Sequence, residues 1–260
     1  MKKLFLLALP LLAITFNSCS KDDDGGDDGY QWPTYGKLVK KVAWHSDTND
    51  YNDDCEFTYD NQQRLVKATW DNGYSKSLTY NNNTITLNDN GEFYTTYILD
   101  ENGYLTRQND DDGSYAVHEY SSGYSSKSTE IKLDKDSDYD KYEEIYTWLN
   151  GNLVKQVGRY YDGTKLLDYT FTYNYTYNSI ENKLNLNILD IFDFSYWEPT
   201  CINFRGRSLK NYPISQTNDD GETLSYSYTF DNDGYPTKIV ETWADGHGYT
   251  SSSTTTITYY

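Results

Sequence analysis

Long apolar runs, histidine, positive charge and recognisable catalytic signatures are all scarce in this chain. Its longest largely apolar stretch is the thirteen residues from Leu4 to Phe16, too short for a transmembrane helix, which needs about 20. Lys and Arg number 22 against 40 Asp and Glu, giving a net charge of −18 over 260 residues. Residues 1–18 hold only Lys2 and Lys3, so the charge beyond them is −20. Such a surface repels phosphate backbones and anionic lipid, which excludes nucleic acid as a partner. A mean hydropathy of −0.85 is too polar for a membrane barrel with an apolar exterior.

The three histidines, His45, His118 and His247, show no metal-ligand spacing and read as surface residues. Asp134, Asp136, Asp138 and Asp140 alternate like a calcium loop but fail its template. Counted from Asp136, Lys141 and Thr147 stand where Gly and Glu are required. No nucleophile elbow, phosphate loop or paired-cysteine zinc motif occurs. No catalysis, cofactor or metal is therefore expected. Acids are plentiful, so a glycoside hydrolase stays as a third reading, one that depends on a carboxylate separation the sequence does not give.

Cysteine is also rare, and one of the three has a distinctive context. Lys2 and Lys3 precede the apolar stretch, Ser18 precedes Cys19, and Lys21-Asp22-Asp23-Asp24-Gly25-Gly26-Asp27-Asp28 follows. This order predicts a secretory signal over residues 1–18, acylation of Cys19, and a flexible acidic tether over 19–33. It resembles the N-terminus of bacterial lipoproteins, although Phe16 and Asn17 depart from their usual residues. Looser boxes of this kind resemble those of Bacteroidetes, where an acidic run after the cysteine is similar to a surface-export signal. The resemblance implies an outer-membrane address facing the exterior, with the periplasmic face as the alternative. Cys55 and Cys201 remain, either as a disulfide or as two separate buried thiols.

Residues 34–260 read as one domain of repeated hairpins. Tyr59-Asp60-Asn61-Gln62-Gln63-Arg64-Leu65-Val66-Lys67, Leu99-Asp100-Glu101-Asn102-Gly103-Tyr104-Leu105-Thr106-Arg107 and Phe230-Asp231-Asn232-Asp233-Gly234-Tyr235-Pro236-Thr237-Lys238 are three copies. Asp opens each turn by bonding the backbone ahead of it, and Gly takes a left-handed conformation. Gln63 stands where Gly is expected, at a cost of about 1 kcal/mol if the turn is retained. Aliphatic residues are few while Tyr numbers 29, so the core leans on rings whose hydroxyls need partners. Tyr169, Phe171, Tyr173, Tyr175 and Tyr177 alternate with polar residues, placing rings on one face of a strand.

The expected fold is all-β: a long antiparallel meander of hairpins, curled or closed into a barrel-like sheet, which would remove the exposed edges of an open one. One short helical or irregular insertion is expected near 189–200. The turns resemble YD-type repeats, with the arginine usual after Gly kept only as Arg64. The Gly-x-Leu-x-Lys hairpins, the cysteine with its acidic tether, and Ser208-Leu209-Lys210-Asn211-Tyr212-Pro213 also resemble Bacteroidetes lipoproteins of unknown function with a porin-like β fold. That resemblance implies a curled or closed sheet and no catalytic residues.

Two constellations remain as binding candidates. Trp44, Trp70 and Trp243 stand late in a strand before a polar turn, either as core or as platforms for sugar rings. Arg205 and Arg207 form the one basic cluster, an anion grip or a turn paired with nearby acids. The functional expectation is a lipid-anchored envelope protein acting as an interaction or structural module. A glycan-binding accessory lipoprotein is the alternative.

Overall fold

The computed structural model describes residues 35–47, 52–133, 137–188 and 206–260. Within them an antiparallel meander closes on itself as a barrel. Its first half comprises β1 (Val39–Ser46), β2 (Asn52–Tyr59), β3 (Leu65–Trp70), β4 (Ser75–Asn81), β5 (Thr84–Asp89), β6 (Glu92–Leu99), β7 (Leu105–Asp110) and β8 (Tyr115–Ser121). The second half comprises β9 (Tyr124–Ile131), β10 (Lys141–Leu149), β11 (Asn152–Asp162), β12 (Lys165–Glu181), β13 (Asn211–Asn218), β14 (Thr223–Phe230), β15 (Pro236–Ala244) and β16 (Thr250–Tyr259). Every strand pairs with its sequence neighbours, and β1 pairs with β16 from Val39↔Tyr259 to Ser46↔Ser253 to complete the circle. The expected closed sheet is thus the observed one. The insertion expected near 189–200 lies outside the described residues.

The Asp-led turns have the predicted geometry. Asp100 Oδ1 accepts from the amides of Asn102 and Tyr104, and Asp231 Oδ1 from those of Asp233 and Tyr235. Gly103 and Gly234 take φ values of 75° and 84° there, and Gln63 adopts φ 61° in the equivalent turn. The strain at Gln63 is offset by a tie that glycine lacks. Its Oε1 accepts from the Tyr35 amide at 2.8 Å.

Period-2 alternation sends rings and aliphatics into the lumen and hydroxyls outward. Ser225, Ser227 and Thr229 are exposed on β14, between the inward Tyr226, Tyr228 and Phe230. Exposed large apolar side chains do occur, such as Phe93, Leu149, Leu166 and Ile214, but they are scattered over separate strands and turns. A lipid-facing barrel needs a continuous apolar band about 25 Å tall. Among the described residues the outer wall carries none.

The Leu-x-Lys repeat has a structural cause. Leu65, Leu105, Leu153 and Pro236 each sit beside a register shift where a strand leaves the lower turn. Such bulges disrupt the ladder and leave a backbone group unpaired. A tyrosine hydroxyl fills each gap: Tyr80 donates to Leu65 O, Tyr120 to Leu105 O, Tyr177 to Leu153 O and Tyr259 to Pro236 O, at 2.6–2.8 Å. Tyr228 does the same for Pro213 O at 2.6 Å. Five of the 29 tyrosines thus have a double role: the ring packs the core and the hydroxyl satisfies a backbone carbonyl.

The core is gathered at that lower end. The described ends of the connection from β12 to β13, residues 182–188 and 206–210, bury Leu184, Leu186, Ile188 and Leu209 in one cluster with Val39, Leu65, Leu105 and Tyr212. Polar ties fix this plug: Val39 N donates to Asn185 Oδ1 at 3.0 Å, Asn185 Nδ2 to the Tyr59 hydroxyl at 3.0 Å, and Lys183 N to the Tyr212 hydroxyl at 3.1 Å.

On the outer wall, Glu143 accepts from the Tyr161 hydroxyl at 2.8 Å and is bridged by Lys127 at 2.8 Å and Lys141 at 3.4 Å. Burial pushes its carboxyl up, but the Lys127 and Tyr161 bonds outweigh that and hold it at about 2. A depressed carboxylate adds stability above its unfolded value near 4.5, and loses it as pH falls toward 2. Urea titrations of Glu143→Gln should show a loss of about 1–2 kcal/mol at pH 7. The difference from the parent should shrink between pH 4.5 and 2; a loss independent of pH would mean packing, not charge, explains it.

Candidate functional site

The opposite end of the barrel is polar, acidic and lined with rings. Its inward-facing carboxylates are mostly engaged. Glu144 accepts from the hydroxyls of Tyr142 and Tyr146 and from Gln156 Nε2, at 2.6–2.8 Å. Asp89 accepts from the Tyr74 hydroxyl at 2.5 Å, and Asp110 from Thr95 and Gln108 at 2.9 and 3.0 Å. Glu130 pairs with Lys132 at 2.5 Å. Asp53 sits at 9% exposure on the lumen face of β2, its carboxyl pushed up by burial and by Asp71 and Asp54. Carboxylates held this way organise the wall of the mouth.

Rings continue along one side of this mouth, each touching the next. Tyr139 and Tyr160 lie 4.9 Å apart, Tyr160 and Tyr142 4.6 Å, Tyr160 and Tyr169 5.0 Å, and Phe171 and Tyr173 4.8 Å, while Tyr142 and Phe171 lie 6.4 Å apart. Burial, followed by neighbouring acids and hydroxyls, raises the phenol pKa of Tyr139, Tyr142, Tyr160 and Tyr173. Gly158 makes room for the row: a Cβ there would lie 2.2 Å from the Phe171 ring.

At the end of the row is a recess of about 230 Å³ between β12, β13, β14 and β15. Tyr173, Gln216, Asn218, Glu222, Thr223, Leu224 and Trp243 line it. Glu222 is held in place because Asn218 Nδ2 donates to its Oε2 at 2.7 Å, while its amide donates to Asn218 Oδ1 at 2.9 Å. Tyr249 braces Trp243 edge-on at 5.8 Å.

The three tryptophans all face the lumen toward the open end, but in different surroundings. Trp70 is 6% exposed and packed edge-on against Tyr74. Trp44 is half-buried on β1 and pairs with Thr255. Thr255 in turn pairs with Ile239, four residues below Trp243 on β15. Trp243 is half-buried and lines the recess. Periodicity marked the alternation, but the recess arises from four strands meeting at a rim, which no local pattern carries.

Arg207 stands at the plugged end, bonded to the hydroxyls of Tyr124 and Tyr104 and lying 5.6 Å over the Tyr124 ring. Cys55 is an unbridged thiol at 0% exposure, with burial raising its pKa. Cys19, Arg205, Cys201, Asp134 and Asp136 lie outside the described residues. His118 corrects the expectation of surface histidines. It is 7% exposed, because β8 alternation puts it on the lumen face opposite Ser128, whereas His45 and His247 are exposed.

The fold is shared with known structures. A porin-like protein from Bacteroides uniformis is similar over 89% of this chain and 100% of its own, with 18% identity and a TM-score of 0.69. A second porin-like protein, from Bacteroides vulgatus, is similar over 86% of this chain and 99% of its own, with 15% identity and a TM-score of 0.59. No family model matches the chain, and no curated protein matches it.

Proposed function

We propose that this is a non-catalytic envelope protein, lipid-anchored through Cys19 to the outer membrane, whose barrel stands outside the bilayer and presents an open binding cup to the exterior. The observation that carries this reading is the opposition of the barrel's two ends. Tyr35 is fixed at the plugged rim by Gln63, and Lys37 pairs there with Asp231 and Asp233 at 2.7 Å each. The chain from Cys19 therefore joins the barrel at its closed end, and the ring-lined mouth opens at the other. Residues 19–33 are fifteen residues rich in Gly and Asp, and a coil of that length and composition would have a root-mean-square reach of about 20 Å, enough to clear the headgroups.

The hydroxyl-bearing outer wall supports a place in water, since lipid would require an apolar one. The porin-like fold supports an envelope address, and the engaged lumen carboxylates support binding over catalysis. In a Gram-negative host that exports the protein, labelled palmitate should enter the parent and not Cys19→Ala. The variant should also move from the membrane pellet to the soluble fraction; a variant still sedimenting with membranes would sink the anchor. Digestion by protease added to intact cells supports the exterior face, and protection until lysis assigns the periplasmic one.

A further inference from the structure

We infer that the recess beside Trp243 is a binding site for a neutral pyranose, and that the row of rings from Tyr173 to Tyr139 carries the adjoining units of the same glycan. This rests on the reading of the open end as a binding cup. At about 230 Å³ the recess is below the roughly 300–1,000 Å³ of pockets that enclose drug-sized ligands, so it suits one or two rings. Its walls combine two aromatic side chains with alternating donors and acceptors. That combination matches a sugar, which has an apolar C–H face and a rim of hydroxyls.

The polar groups are fixed and have capacity to spare. Asn218 orients the Glu222 carboxylate through Oε2, leaving Oε1 with no partner among the described residues. Gln216 Oε1 accepts only a long bond of 3.5 Å from Tyr226. Its Nε2, the Trp243 indole N–H and the Tyr173 hydroxyl have no hydrogen-bond partner among the described residues. Three donors beside one carboxylate suit hydroxyls, each of which both gives and accepts a hydrogen bond. A cationic amine would use the rings and Glu222 but leave the donors facing a positive charge. Phosphate, sulfate and uronate are repelled by Glu222 and by the excess of acid around the mouth.

The row of rings gives the site its length. Its members touch from Tyr173 back to Tyr139 on the far side of β10, and Gly158 is the position whose missing side chain lets Phe171 lie within it. A ligand longer than the recess therefore meets further ring faces along the wall, and affinity should rise with chain length.

The mature lipoprotein in detergent, titrated calorimetrically and by tryptophan emission, provides the test. The probes are oligosaccharides of β-glucan, xylan, mannan and galactan, with polygalacturonate, chondroitin sulfate and choline as charged competitors. A neutral oligosaccharide should bind and shift the emission, and a tetramer should bind at least about tenfold more tightly than its monosaccharide. Trp243→Ala and Gln216→Ala should each weaken binding about tenfold, while Trp44→Ala should not. Gly158→Val should remove the gain from chain length and spare monosaccharide binding. Silence across the neutral panel, preference for an anionic glycan or choline, or binding indifferent to Trp243 and Gln216 would each overturn the assignment. Palmitate labelling and protease accessibility are read on the intact cells from which the lipoprotein is then purified. An anchored, exposed protein that binds no sugar therefore loses only this inference.

Discussion

Replacing Leu186 by Ala should destabilise the protein by about 3 kcal/mol, a fall in Tm of roughly 6–12 °C for a domain of this size. Leu186 is 1% exposed and sits in the plug between Leu184 and Ile188, which are 3% and 0% exposed. Removing its side chain costs the transfer energy of the lost carbons plus the cavity left behind. Relaxation is restricted here, because the plug is tied on both sides of Leu184: Val39 and Tyr59 bond the Asn185 side chain, and the Tyr212 hydroxyl accepts from the Lys183 amide. Leu166→Ala is the matched control: at 46% exposure in the upper part of β12, it should change stability by less than about 0.5 kcal/mol. Equal effects from the two variants would mean that the connection does not seal the barrel.

The plug shows where sequence reading stops. Leu184, Leu186 and Ile188 alternate as in a strand, and the residues after them allow a helical turn, so the local pattern leaves the choice undecided. What the described residues add is distant in sequence: sixteen strands close into a barrel, and Leu184, Leu186, Ile188 and Leu209, from the two described ends of the β12–β13 connection, are buried in its core. The hairpins were legible because each is a local event: Asp opens the turn, a left-handed residue reverses it, and alternation sorts the strand faces. Closure between β1 and β16 joins the two ends of the domain, which neither end signals alone.

A further regularity runs through the sequence. Leu65 precedes Tyr80 by 15 residues, as Leu105 precedes Tyr120 and Pro213 precedes Tyr228. In these three pairs the spacing is the length of one upward strand, one turn and one downward strand. The spacing lengthens to 24 for Leu153 with Tyr177 and 23 for Pro236 with Tyr259, where the strands are longer. It records which hydroxyl satisfies which bulge. The candidate site was legible only in part. Trp243 was marked by its place before a turn, but Gln216, Glu222 and Tyr173 join it through strand pairing across the rim. No linear motif links them.

Gly206→Ala should cost about 2–4 kcal/mol, well beyond the usual price of a left-handed alanine. Gly206 has φ 86° and forms a bridge with Tyr124. A Cβ there would meet the Gly123 carbonyl oxygen at 2.7 Å and the Tyr120 ring at 2.9 Å. The carbonyl belongs to a tight turn and accepts from the Arg207 amide at 2.8 Å, so it has little freedom to retreat. Gly221 separates the two contributions. Its φ is 84°, and a Cβ there meets nothing within 4 Å, so Gly221→Ala should cost only the backbone strain, about 1 kcal/mol. Thermal unfolding of both variants checks this. If Gly206→Ala is no worse than Gly221→Ala, the contact with Gly123 does not hold the returning end of the β12–β13 connection against the barrel. The plug would then depend on its buried aliphatic residues and on the ties from Val39, Tyr59 and Tyr212.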